Sequence, residues 1–116
     1  MSQAELDTTQ LLKGALDLAV LAVLAEGDSY GYDVVRRLRD NGLDHVGDAS
    51  VYGTLRRLYQ EGALNSYVVP SEEGPHRKYY GLNVRGKKTF EQSTRTWASF
   101  SKSLNQLLNG RNGHER

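Results

Sequence analysis

The run Asp48-Ala49-Ser50-Val51-Tyr52-Gly53-Thr54-Leu55-Arg56-Arg57-Leu58 constrains this chain most, because Gly62 closes it and Arg77-Lys78-Tyr79-Tyr80 follows. Asp48 is a good N-cap and sets a negative charge at the positive end of the helix dipole, while Gly62 suits the left-handed residue that ends a helix. The pattern predicts a helix from Ala49 to Glu61. At about 100° per residue, Val51, Leu55 and Leu58 fall on one stripe. Ala49, Gly53 and Arg56 fall on the opposite one, flanked by Tyr52 and Arg57. The first stripe is core. The second is small at its N-terminal end and carries guanidinium groups further along, as a helix approaching base edges with phosphates beyond would need. Glycine inside a helix costs about 0.5–1 kcal/mol relative to alanine, and close approach to a groove would offset that at Gly53. By themselves, Arg56 and Arg57 read first as a solvated surface pair, and it is the neighbouring elements that change the balance.

Upstream, Gly27 to Leu38 predicts a second helix with its capping start at Asp28 or Ser29 and Gly42 as its stop. Downstream, Asn65–Val69 and Arg77–Leu82 are rich in tyrosine and valine, and Pro70 to His76 between them is turn chemistry. These segments should pair as a hairpin projecting from the body. In the first helix Leu12, Leu16, Ala19, Val20 and Val23 form a stripe that Leu11, Ala15, Leu18 and Ala22 widen. A helix so apolar is either a central core helix or one with core on one side and a partner subunit on another. From Phe90 the apolar positions Trp97, Phe100, Leu104 and Leu107 recur by three and four, with Leu108 beside them and Ser93 interrupting once. That stripe is a seam for a second copy of the helix or for a partner's first helix. The expected dimer contacts are Leu12, Leu16, Phe90, Trp97, Phe100, Leu104 and Leu107.

Five segments in order resemble the PadR-like transcriptional regulators, in the short subfamily with a single C-terminal helix. They are Tyr30-Gly31-Tyr32; Ser50-Val51-Tyr52 with Leu55-Arg56-Arg57-Leu58; Glu61-Gly62-Ala63-Leu64; Gly74-Pro75-His76-Arg77-Lys78-Tyr79-Tyr80; and Leu82-Asn83-Val84-Arg85-Gly86. The resemblance runs from about Leu11 to Leu108 and rests on the order and separation of the five. It implies a mostly helical α+β fold: a winged helix-turn-helix of three helices and a two-stranded wing over residues 1–82, a C-terminal dimerisation helix over 83–109, and a polar tail over 110–116. It also implies a homodimeric, cytoplasmic repressor of an inverted-repeat operator. Ala49, Ser50, Tyr52, Gly53, Thr54 and Arg56 would face the major groove, Tyr30, Arg57, Arg77 and Lys78 the phosphates, and Gly74 and His76 the minor groove. Gly53 stands where many members carry proline, so the operator sequence does not carry over. Members with a tryptophan at this point of the last helix resemble multidrug-responsive repressors, which makes Trp97 and Phe100 an expected site for a planar aromatic effector, with packing of the dimer seam as the alternative role.

Composition bounds the rest. At 116 residues and 13.0 kDa this is one small domain, and with a net charge of +1 any basic footprint must come from local clustering. Arg36, Arg37, Arg39, Arg56, Arg57, Arg77 and Lys78 offer such a cluster, with Glu72 and Glu73 working against it. No cysteine occurs, Met1 to Thr9 is polar, and the apolar run Ala15–Ala25 is interrupted by Asp17 and too short to span a bilayer. His45, His76 and His114 are scattered, and there is no phosphate loop or nucleophile elbow, so no enzyme, metal or cofactor is expected. The competing expectation is a small-molecule-binding or interaction module of the same fold without DNA activity.

Overall fold

The computed structural model describes residues 15–113, with side chains described through Gly110. The element order is α1 (Leu16–Ala25), β1 (Ser29–Tyr30), α2 (Gly31–Asp40), α3 (Asp48–Gln60), β2 (Leu64–Val69), β3 (Arg77–Leu82) and α4 (Val84–Gly113). Each of the first three helices turns one apolar stripe inward. Val20, Leu21, Val23 and Leu24 of α1 meet Val34, Val35 and Leu38 of α2 and Val51, Leu55 and Leu58 of α3, with Val46, Ala63 and Leu64 completing the core. Helices of 10 to 13 residues are marginal in isolation, so burial of these side chains at roughly 1.5–3 kcal/mol each holds the bundle together.

The stops are as the glycines suggested: Gly42 and Gly62 both have φ in the left-handed region, at 99° and 86°. The starts differ. Asp48 lies in the first turn of α3 with Gly47 as N-cap, and its carboxylate is taken by Arg39 at 2.8 Å. Neither Asp28 nor Ser29 caps α2. Ser29 and Tyr30 instead form a short strand paired antiparallel with β3, so the sheet has three strands in the order β1-β3-β2 where two were expected. A two-residue strand carries no alternation, which is why sequence periodicity could not show it.

The long helix is docked at its root. Asn83 accepts from the Gly86 amide at 2.8 Å through Oδ1, as an N-cap should, and donates through Nδ2 to the Gly62 carbonyl at 2.9 Å. The bend therefore ties α4 to the α3–β2 turn. Phe90, expected in a dimer seam, is half-buried against this chain's own core, and so is Leu16. Both contacts are intrachain because the first turns of α4 lie beside the bundle. Leu12 lies outside the described residues. Beyond Phe90 the helix, about 45 Å long over its 30 residues, runs on past the expected end at Asn109. Trp97, Phe100, Leu104 and Leu107 stay 49%, 56%, 40% and 71% exposed.

Candidate nucleic-acid interface

The outward face of α3 follows from its inward one. With Val51, Leu55 and Leu58 buried, Ala49, Ser50, Tyr52 and Arg56 are exposed and Gly53 is half-buried with open space where its Cβ would be. Thr54 departs from expectation. It neighbours Leu55 on the inward side and is only 7% exposed, so it is not part of the outward face.

Tyr30-Gly31-Tyr32 and Ser50-Val51-Tyr52 meet in space. A Cβ on Gly31 would stand 2.2 Å from the Tyr52 ring, so the absence of a side chain at the start of α2 is what lets that ring lie over it. The contact fixes the direction of an exposed tyrosine on the outward face of α3.

The basic cluster is thinner than its sequence count. Arg36 pairs with Asp33 and Asp40, Arg37 with Glu26, and Arg39 with Asp48. Arg57, expected on phosphates, reaches Asp17 of α1 at 2.5 Å and Glu61 at 3.4 Å. The Asp17 hydrogen bond, and then its charge, raise the Arg57 pKa further above the ordinary guanidinium value. Arg57 thus joins α3 to α1. Among the described residues, the cations of α2, α3 and the hairpin with no acidic partner are Arg56, Arg77 and Lys78.

Those on the hairpin are held by aromatic rings instead. The Arg77 guanidinium lies 4.5 Å from the centre of the Tyr30 ring, and the Lys78 ammonium 5.6 Å from the rings of both Tyr59 and Tyr80. Tyr30 was expected to touch phosphate itself. Its ring is half-buried under Arg77. Tyr59 was missed because it is the third residue past Arg56 on an otherwise ordinary polar turn, with no sequence signal that Lys78 would arrive beside it. Gly74 and His76 are exposed in the turn between β2 and β3. The combination is a helix face of small side chains followed by Arg56, beside a ribbon with two aromatic-seated cations, a surface suited to a polyanion with readable edges.

Between them, α1 and α4 border an open groove of about 1320 Å³, lined by Ala15, Asp17, Leu18, Trp97, Phe100 and Leu104 among others. The Trp97 and Phe100 rings are 5.8 Å apart and tilted by 44°. Asp17 also lines a smaller hollow against Ala49, Ser50 and Gly53 of α3, so one carboxylate lies between the groove and the outward helix face. Among the described residues there is no cluster of metal-binding side chains, and no helix is long and apolar enough to cross a membrane.

The family model of the transcriptional regulator PadR-like family matches residues 20–92. A PadR-like transcriptional regulator of Bacillus cereus is 31% identical, with a TM-score of 0.76 over 85% of this chain and 96% of that one. A PadR family regulator of Eggerthella lenta is 29% identical, with a TM-score of 0.78 over 86% of this chain and 87% of that one. Bacillus subtilis PadR, solved in complex with operator DNA, shares the fold at a TM-score of 0.63 and 22% identity, over 68% of this chain and 46% of that one.

Proposed function

Because this chain belongs to the PadR-like transcriptional regulator family, whose members regulate transcription and are not enzymes, we propose that it is a homodimeric repressor that binds operator DNA and is released by a small molecule. The observation that carries the DNA reading is the placement of Arg56, Arg77 and Lys78. They are the cations left without acidic partners among the described residues of α2, α3 and the hairpin. Ala49, Ser50, Tyr52, Gly53 and Arg56 face the major groove, Arg77 and Lys78 the backbone, and Gly74 and His76 the minor groove. Arg57, paired with Asp17, ties α3 to α1 at the edge of this face, and Thr54 packs inward.

The stripe Trp97, Phe100, Leu104, Leu107 and Leu108 supports the dimer, since an apolar run of this length on an exposed helix favours a second copy of itself. Two copies would set their α3 helices about 34–36 Å apart, one turn of duplex, on an inverted repeat. The groove beside Trp97 and Phe100 is the effector site, accepting a planar aromatic molecule against the indole, and the protein works in the cytoplasm.

Selection from a random duplex pool tests the reading. Enrichment of an inverted repeat, followed by its saturable release with a planar aromatic compound that quenches Trp97 emission over the same concentrations, is the expected result. A pool that stays random after repeated rounds, with no retained duplex at low salt, overturns it.

A further inference from the structure

Tyr30 of β1, Tyr79 of β3 and Tyr67 of β2 stand in a row straight across the sheet, because the register sets Tyr30 against Tyr79 and Tyr79 against Tyr67. Their rings are in contact: Tyr30 and Tyr79 are tilted at 5.5 Å, Tyr79 and Tyr67 stacked at 5.7 Å. Each end of the row is closed by a charge. At one end the Arg77 guanidinium sits 4.5 Å over Tyr30, and at the other the Tyr67 hydroxyl donates to Asp28 Oδ2 at 2.6 Å. Asp28 reaches Tyr67 by lying over Gly81, where a Cβ would come within 2.1 Å of its Oδ1. Glycine at 81 is therefore a condition of the arrangement.

The row is not core packing. Tyr67 is 44% exposed and none of the three tyrosines is fully buried. What it does is fix the ring on which Arg77 rests. An arginine that must settle onto a phosphate gives up rotamer freedom, and one already seated on an immobile ring has given up much of it beforehand. Lys78 points to the other face of the ribbon and rests on Tyr59 and Tyr80, so the row serves Arg77 alone.

We infer that the Asp28–Tyr67–Tyr79–Tyr30 ladder preorients Arg77 for a DNA phosphate, and that Tyr30 is a positioning residue and not itself a phosphate ligand. This rests on the operator reading above. Loss of the Tyr30 ring weakens duplex binding without removing a charge, and only while Arg77 is present.

Two measurements on the full chain test it. The first is the chemical shift of the Arg77 δ-methylene protons, which a ring 4.5 Å away moves upfield. The shift is expected in wild type and in Tyr30→Phe, absent in Tyr30→Leu and reduced in Asp28→Ala. The second is a double-mutant cycle on duplex affinity. Tyr30→Leu is expected to weaken binding about two- to fivefold with an unchanged salt slope, Tyr30→Phe to match wild type, and Tyr30→Leu to cost nothing further in Arg77→Ala while keeping its full cost in Lys78→Ala. If Tyr30→Leu unfolds, Asp28→Ala replaces it in the cycle, since it releases the ladder from its far end. Wild-type chain that binds duplex without the upfield shift, or a Tyr30→Leu loss undiminished in Arg77→Ala, overturns the ladder alone. A wild-type chain that shows the shift and binds no duplex overturns the operator reading and the ladder's role on DNA with it.

Discussion

Two helical glycines should answer the same substitution with opposite signs. At Gly53 a Cβ meets nothing within 4 Å, so Gly53→Ala gains the helix propensity of alanine, about 0.5–1 kcal/mol, at no steric cost. At Gly86 the same Cβ would stand 2.1 Å from the Ala63 carbonyl oxygen, a backbone atom that cannot rotate away. An ordinary carbon–oxygen contact is about 3.3 Å, so the first turn of α4 must retreat by roughly 1 Å. That retreat pulls on the Asn83 amide bond to Ala63, the Asn83 side-chain bond to Gly62 and the cap on Gly86. Overpacking at about 1–3 kcal/mol and a lost cap at about 0.5–2 kcal/mol outweigh the propensity gain, for a net loss of about 1–4 kcal/mol. Urea denaturation of both variants at one protein concentration reads this as midpoints moving in opposite directions at unchanged slope. Gly53→Ala carries a second expectation. If the small helix face serves close approach to DNA, the more stable variant binds duplex more weakly. Midpoints that move together, or a Gly86→Ala chain as stable as wild type, would refute the packing argument.

Gly31→Ala is expected to cost little stability but to displace the Tyr52 ring, changing duplex affinity while the melting temperature holds; unchanged affinity would show that the ring's direction is immaterial. The hydrogen bond to Asp28, and then partial burial, push the Tyr67 hydroxyl above its ordinary value of 10. A raised pKa means the folded state favours the protonated hydroxyl, so this contribution is fully present below pH 10 and is lost as pH rises through the folded value. Alkaline absorbance titration should accordingly show one tyrosine ionising earlier in Asp28→Ala than in wild type. Truncation before Thr96 removes Trp97, Phe100, Leu104 and Leu107 and is expected to give a monomer in sedimentation; a truncated chain that remains a stable dimer would place the interface elsewhere.

Much of the fold was legible because its signals are periodic. The α3 stripe, the glycine stops and the strand limits at Val69, Arg77 and Leu82 all follow from residue type and spacing, and those strand limits alone put Tyr67 opposite Tyr79. What was not legible depends on partners far apart in sequence. Asp17 takes Arg57 from a distance of 40 residues, Asp28 takes the Tyr67 hydroxyl from 39, and Lys78 finds Tyr59 across a hairpin. Charge counting therefore gave seven cations where the geometry leaves three without acids. Phe90 has a contact that its spacing did not show, for a related reason: its three-four spacing continues the seam, and the turn beyond Asn83 also sets it against the body of the chain. Thr54 lies one step of about 40° from Leu58 on the helix wheel, beside the inward stripe, and its burial follows from that position.

The most direct test of the operator reading is the salt dependence of affinity for a selected duplex. With Arg77 and Lys78 on the backbone, two such cations per protomer make four per dimer, so log K should fall against log salt with a slope of about −3.5. Replacing both by alanine removes all four of those charges and should bring the slope close to zero, while Arg56→Ala alone relaxes preference at one base position. Wild-type binding with no salt dependence, or a slope that the double substitution leaves unchanged, would contradict the assignment of this surface to DNA.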